Sequence, residues 1–295
     1  MRRLCAALLL ASVWVLAACE RPAPPAATAP ALWRVSDSDS EIWLFGSVHV
    51  LPPELAWRNE RLNEAFAAAD EFVTETDTDP ETAAAFPALA RRYGTLPEDQ
   101  SLRALLNAND AARLDQAARD FRLDAAALDR MRPWFAALQL SYAYALREGH
   151  VSEAGVEAVL SAEARARGKR MSFFETPEEQ IQILANLAPE DERHFLSVTL
   201  RQFEGDGAAL DAMDQAWARG DIDALARDLQ AQWREAGPAI HEAVILRRNR
   251  AWAEEIAHRL EGSGVIFVTV GAAHLVGEGN VVDDLRARGI AVEGP

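Results

Sequence analysis

Val265-Ile266-Phe267-Val268-Thr269-Val270, followed by Gly271-Ala272-Ala273-His274, is the stretch on which the fold turns. It is a short, continuous apolar run rich in β-branched residues. That is the pattern of a strand buried on both faces, as in a sheet covered by helices. A similar stretch lies near the other end: Ile42-Trp43-Leu44-Phe45-Gly46-Ser47-Val48-His49. Each is an apolar strand that runs into Gly-x-x-His.

Outward from these two strands, the chain alternates strand and helix patterns. Leu32 to Val35, Glu41 to Gly46, Glu71 to Thr76, Arg170 to Phe174, Val265 to Val270 and Ile290 to Glu293 read as strands. Asn59 to Ala69 reads as a helix. Asp79-Pro80-Glu81 reads as a cap with proline in the first turn, opening a mostly helical stretch over about 80–165. Thr176-Pro177-Glu178-Glu179 has capping-box spacing and opens a second helical region over about 177–260. Glu278 to Arg288 is a last helix. The expected fold is α/β, with a mixed or mostly parallel central sheet and a large helical middle. No solenoid period is present.

Chemistry-bearing residues gather just past the strands: His49, Glu75, Glu175 and His274. In open α/β sheets, ligands bind outside the carboxyl ends of parallel strands. If these strands are parallel neighbours, two histidines and two carboxylates converge on one edge. That mixed donor set suits a divalent cation, Mn, Co or Zn. Glycine before each histidine would let the backbone turn sharply and approach a ligand closely. Glu75 and Glu175 are then the candidate proton acceptors, and Arg248 a candidate for binding a carboxylate or an oxyanion. Plainer readings compete. Glu75 has acidic neighbours and could be a solvated carboxylate. Glu175 could serve the helix dipole at Thr176. Arg248 could lie on a solvated helical face. His150 follows Gly149 in a turn, and His194, His241 and His258, inside helical stretches, have surface or packing roles by default. There is no phosphate loop, nucleophile elbow or His-Glu-x-x-His helix.

The 295 residues carry 30 Lys+Arg against 46 Asp+Glu, a formal charge of −16, and Lys169 is the sole lysine. An acidic surface repels phosphate backbones, which argues against nucleic acid as a partner. Residues 1–18 read as a signal peptide: Arg2 and Arg3, an apolar run from Leu4 to Leu16, then Leu16-Ala17-Ala18-Cys19 in the manner of a lipobox. Cleavage there would leave Cys19 to carry lipid and remove Cys5, so that the mature chain has no thiol for catalysis or metal binding. Residues 19–31 are Pro- and Ala-rich and read as a tether to the membrane. The domain follows over 32–295. These features place the protein in a bacterial cell envelope, lipid-anchored. Glu20 after Cys19 favours the outer membrane, facing the periplasm.

Taken in order, several segments resemble the TraB/PrgY/GumN family. They are Leu32-Trp33-Arg34-Val35 with Leu44 to Pro52, then Phe174-Glu175-Thr176 with Gln180. Trp217 to Asp221, Arg248-Asn249-Arg250-Ala251-Trp252, Val270 to Gly277 and Leu285 to Gly289 follow. The resemblance implies a fold shared with Tiki-type metal-dependent proteases and, distantly, with erythromycin-esterase-like and haem-binding ChaN-like proteins. It implies His49 and His274 as metal-site or catalytic histidines, Glu75 as their acidic partner and Arg248 as a supporting residue. Gly155-Val156-Glu157 departs from a pattern in which Asp is common at the third position, which puts Glu157 in doubt. The function expected is metal-dependent hydrolysis of peptide or amide bonds. The alternatives are a binding protein that sequesters a peptide, metal or haem, and a structural lipoprotein in envelope or polysaccharide biogenesis.

Overall fold

In the computed structural model, residues 29–205 and 207–295 are described. The signal segment, Cys19 and the tether up to residue 28 lie outside them. Among the described residues, no helix is long and apolar enough to cross a membrane.

Among the described residues, six strands form one mixed sheet: β1 (Leu32–Ser36), β2 (Ser40–Ser47), β3 (Glu71–Thr76), β4 (Arg170–Glu175), β5 (Gly264–Gly271) and β6 (Val292–Glu293). Their spatial order is β4-β3-β5-β2-β1-β6. The four central and left-hand strands, β4, β3, β5 and β2, run parallel. β1 is antiparallel to β2, and β6 to β1. β5 takes the middle of the parallel set, as its continuous apolar run requires: Phe267 and Val268 are fully buried. The fold is α/β, as the strand pattern predicts.

Helices cover both faces. The helix Glu60–Ala68 returns the chain from β2 to β3, capped by Asn59, whose side chain accepts from the Leu62 N–H. Phe66 from this helix meets Phe72 of β3 and Phe267 of β5 edge-on at 5.6 and 5.3 Å. The helix Arg247–Leu260 contributes Trp252, Ala253 and Ile256 to the same core. The helical middle has two apolar cores of its own, one around Leu102, Leu140 and Leu196, the other around Trp134 and Ile181. Both halves of the Thr176–Glu179 capping box form. At Asp79 the expected side-chain cap is missing. Its carboxylate instead receives the Arg165 Nε at 3.2 Å, so charge pairing with a neighbouring helix wins over the cap.

Candidate functional site

The parallel strands all end on one side of the sheet. Their last residues are neighbours: Ser47 of β2 is opposite Gly271 of β5, and Thr76 of β3 is opposite Glu175 of β4. Four of the five expected site residues are in direct contact here: Glu75, Glu175, Arg248 and His274.

Arg248 is the centre. It lies on the helix Arg247–Leu260, directly after a π-helical turn, Glu242–Leu246. Such turns are rare and often mark functional sites. All five guanidinium N–H groups are used. Nε and Nη2 grip Glu175 at 2.8 and 2.9 Å, Nη2 also reaches Glu75 at 2.6 Å, and Nη1 reaches the Val244 carbonyl and His274 Nε2, each at 3.0 Å. Trp252 lies under the guanidinium at 4.4 Å, a cation–π contact. The same indole is tilted against the His274 ring at 4.5 Å and stacked on Phe174. With no N–H left over, Arg248 positions its neighbours in this arrangement and has no donor to offer an oxyanion.

Glu75 is buried. It accepts from the Gly271 N–H and from Arg248, each at 2.6 Å, and from Gln180 Nε2 at 3.3 Å. Burial opposes its charge, but His274, Arg248 and His49, with the Gly271 N–H, outweigh burial and hold its pKa down at about 2. Glu175 goes the other way: burial raises its pKa against the pull of Arg248. Gly271 earns its place by closeness. A Cβ there would lie 3.2 Å from Glu75 Oε1. Its φ is −50°, so close approach rather than an unusual backbone turn calls for glycine.

His274 is buried in a short turn after β5. Its Nδ1 donates to Asn249 Oδ1 at 2.6 Å, while Asn249 Nδ2 donates to the Gly279 carbonyl. This fixes the tautomer and leaves Nε2 as the acceptor for Arg248. Burial pushes its pKa down to about 3, so the ring is neutral over the physiological range.

His49 is set apart. It lies past β2 with its side chain 69% exposed, and its Nδ1 meets Glu157 Oε1 at 2.8 Å. Glu157 is in the first turn of the helix Val156–Ala166. Ser47 donates to the same Glu157 oxygen, and Glu157 Oε2 is buried with no partner. A Cβ on Gly155 would sit 2.0 Å from the His49 carbonyl oxygen, so only glycine lets this helix start dock on the histidine loop. Val156 N–H closes the join on the Val48 carbonyl. Glu157 raises the His49 pKa, to about 9, with smaller help from Glu75 and opposition from Arg248. Solvent around the open ring screens this attraction.

The expected metal ligands do not fit a cation as they stand. The guanidinium of Arg248 occupies the space between Glu75, Glu175 and His274, and both His274 nitrogens are engaged. Among the described residues, no three His, Cys, Asp or Glu side chains gather to hold an ion. Sequence reasoning also undervalued several partners. Asn249, Gln180 and Glu157 were visible only as members of motifs, because their roles depend on which strand end or loop they face. The buried His150 and Asp214 are also paired, 2.6 Å apart, with no motif in the sequence to mark them.

The model of the TraB/PrgY/gumN family matches residues 31–294. The chain belongs to that family. Similar proteins of this TraB/PrgY/gumN kind include the "Uncharacterized protein YbaP" of Escherichia coli (strain K12), 23% identical over 88% of this chain and 93% of the relative. YbaP of Shigella flexneri is 24% identical over 82% and 87%. No solved structure gives a significant match.

Proposed function

We propose that this chain is a lipid-anchored hydrolase of the bacterial cell envelope that cleaves peptide or amide bonds by acid–base chemistry. The observation that carries this reading is the His49–Glu157 pair beside the buried Glu75–Arg248–Glu175 cluster. Glu157 pins Nδ1 and leaves His49 Nε2 facing solvent, where it can exchange a proton with a bound molecule. With its raised pKa, His49 is an imidazolium at neutral pH and suits the role of acid: it protonates the leaving nitrogen as the C–N bond breaks. Glu175, whose pKa burial raises, suits the role of base: it takes a proton from the water whose oxygen bonds to the carbonyl carbon. Glu75, held near 2 and fully hydrogen-bonded, is the weaker base and serves to fix Arg248 and His274.

No step here is assigned to a divalent cation, because Arg248 fills the centre of its donor set. The test uses the soluble domain, residues 20–295, with fluorescein-labelled casein and elemental analysis after incubation with Mn, Co and Zn and desalting. Expected are cleavage by the wild type, a loss of roughly 10²–10⁴-fold in His49→Ala, and no metal above the level in the His49→Ala/His274→Ala variant. Labelled casein that stays bound and intact would replace the hydrolase with a binding protein. Near-stoichiometric metal in the wild type alone would show that Arg248 moves aside for an ion. The anchor is tested separately: metabolic labelling with an alkyne fatty acid should mark the full chain and not Cys19→Ser, and equal labelling of both would sink it.

A further inference from the structure

The sheet has two edges, and they are treated differently. β6 is two residues long and carries Glu293, the kind of short, charged edge that discourages further pairing. β4 is six residues long, Arg170-Met171-Ser172-Phe173-Phe174-Glu175, and its middle has no charge, proline or bulge. Phe173 is 41% exposed. Among the described residues, no strand pairs with its outer side.

The direction of the free backbone groups follows from the ladder. Arg170 N–H donates to the Asp70 carbonyl, with Arg170 opposite Glu71. Alternation along a strand then turns Arg170, Ser172 and Phe174 toward β3. The N–H and C=O groups of Met171 and Phe173 point the other way, off the sheet. Donors and acceptors at strand spacing are complementary to one thing above others: an extended peptide backbone.

Where this edge leads gives it a use. β4 ends at Glu175, inside the buried charge cluster. The next residues, Thr176 and Pro177, line a cavity of about 460 Å³ with Phe86 and Leu89 of the helix Pro80–Gly94. That volume accepts side chains of a bound ligand. A second copy of this chain on the same edge would bring together two molecules of formal charge −16, which mutual repulsion opposes.

We infer that the outer edge of β4 is a docking strand for an extended peptide, which adds to the sheet there and is led past Glu175 with a side chain in the Phe86–Leu89 cavity. This rests on the peptide-or-amide hydrolase reading and narrows its substrate class to unfolded or extended polypeptide.

The test separates binding from cleavage. The His49→Ala domain is titrated with a fluorescein-labelled decapeptide of alternating Val and Thr, and with the same peptide N-methylated at every second amide. Phe173→Pro is made in the same background. It deletes an outward N–H while sparing the β3 ladder, and proline is tolerated on an edge so oriented. Phe173→Ala removes the ring alone, and circular dichroism with thermal unfolding checks that each variant folds. Expected are binding of the unmethylated peptide, and at least tenfold weaker binding for N-methylation and for Phe173→Pro in a folded protein. Equal binding of both peptides, or no loss in folded Phe173→Pro, overturns the proposal. So does a dimer in light scattering that Phe173→Pro dissolves while no peptide binds, because the edge then serves a second copy. Should Phe173→Pro fail to fold, the methylated peptide alone decides. Strand-dependent binding without cleavage by the wild-type domain would leave this inference standing and remove the hydrolase reading.

Discussion

Arg248→Met is expected to lower the stability of the domain by about 3–5 kcal/mol at pH 7, because it leaves buried carboxylates without their partner. Methionine keeps much of the length and apolar character of the arginine stem, while the cation–π contact with Trp252 goes with the guanidinium. What disappears is the charge between Glu75 and Glu175 and the hydrogen bond to His274 Nε2. Glu75 has a folded-state pKa held near 2, below its unfolded value of ~4.3. Its contribution is therefore fully present above ~4.3 and is lost as pH falls toward 2. In the variant both carboxyls must protonate to stay buried, so the deficit should be largest at neutral pH and should shrink on acidification. Urea unfolding of wild type and Arg248→Met at pH 7 and pH 4 measures this. A loss under 1 kcal/mol at pH 7, or one that does not shrink at pH 4, would show that the cluster is not held by Arg248.

The same cluster shows why some of the site was legible in the sequence and some was not. Strands announce themselves: β2 and β5 carry mostly buried apolar runs over residues 42–45 and 265–268, and their Gly-x-x-His tails mark the strand ends. Parallel order then places Glu75, Glu175 and His274 together, since each lies at the carboxyl end of a strand. Arg248 could be flagged only by its motif. It is on a helix whose polar residues look like a solvated face, and only packing shows that this residue points inward under Trp252. Glu157 was harder still. Its value comes from Gly155, which lets the helix start touch the His49 carbonyl, a contact between segments about a hundred residues apart. Residue types alone point to a divalent cation, because donor lists carry no information on what else occupies the middle, here the guanidinium of Arg248. The last strand illustrates a simpler limit: Ile290 to Glu293 reads as four residues, but pairing with β1 involves only Val292 and Glu293.

Glu157→Gln should move the alkaline limit of activity downward and leave the acid side in place. Glutamine keeps the shape of the side chain and an oxygen that can accept from His49 Nδ1, so the ring orientation survives. The negative charge is lost, and that charge is the largest cause of the raised His49 pKa. In the wild type, His49 as a general acid stays protonated until pH approaches about 9. Without Glu157 the ring returns toward an ordinary imidazole, ~6.5. At pH 8 the protonated fraction would then fall roughly 30-fold, an upper bound because solvent around the open ring screens the pair. The linked stability effect has a definite sign. A raised folded-state pKa stabilises fully below the unfolded value and is lost as pH rises through the folded one. The stability difference between wild type and Glu157→Gln should therefore be greatest near pH 6 and fade by pH 10. Casein cleavage followed from pH 5 to pH 10 reads the first effect, and thermal unfolding over the same range reads the second. An alkaline limb that stays put would remove His49 from the role of acid. A limb that moves while Arg248→Met abolishes activity at every pH would divide the site into an open proton-transfer pair and a buried frame.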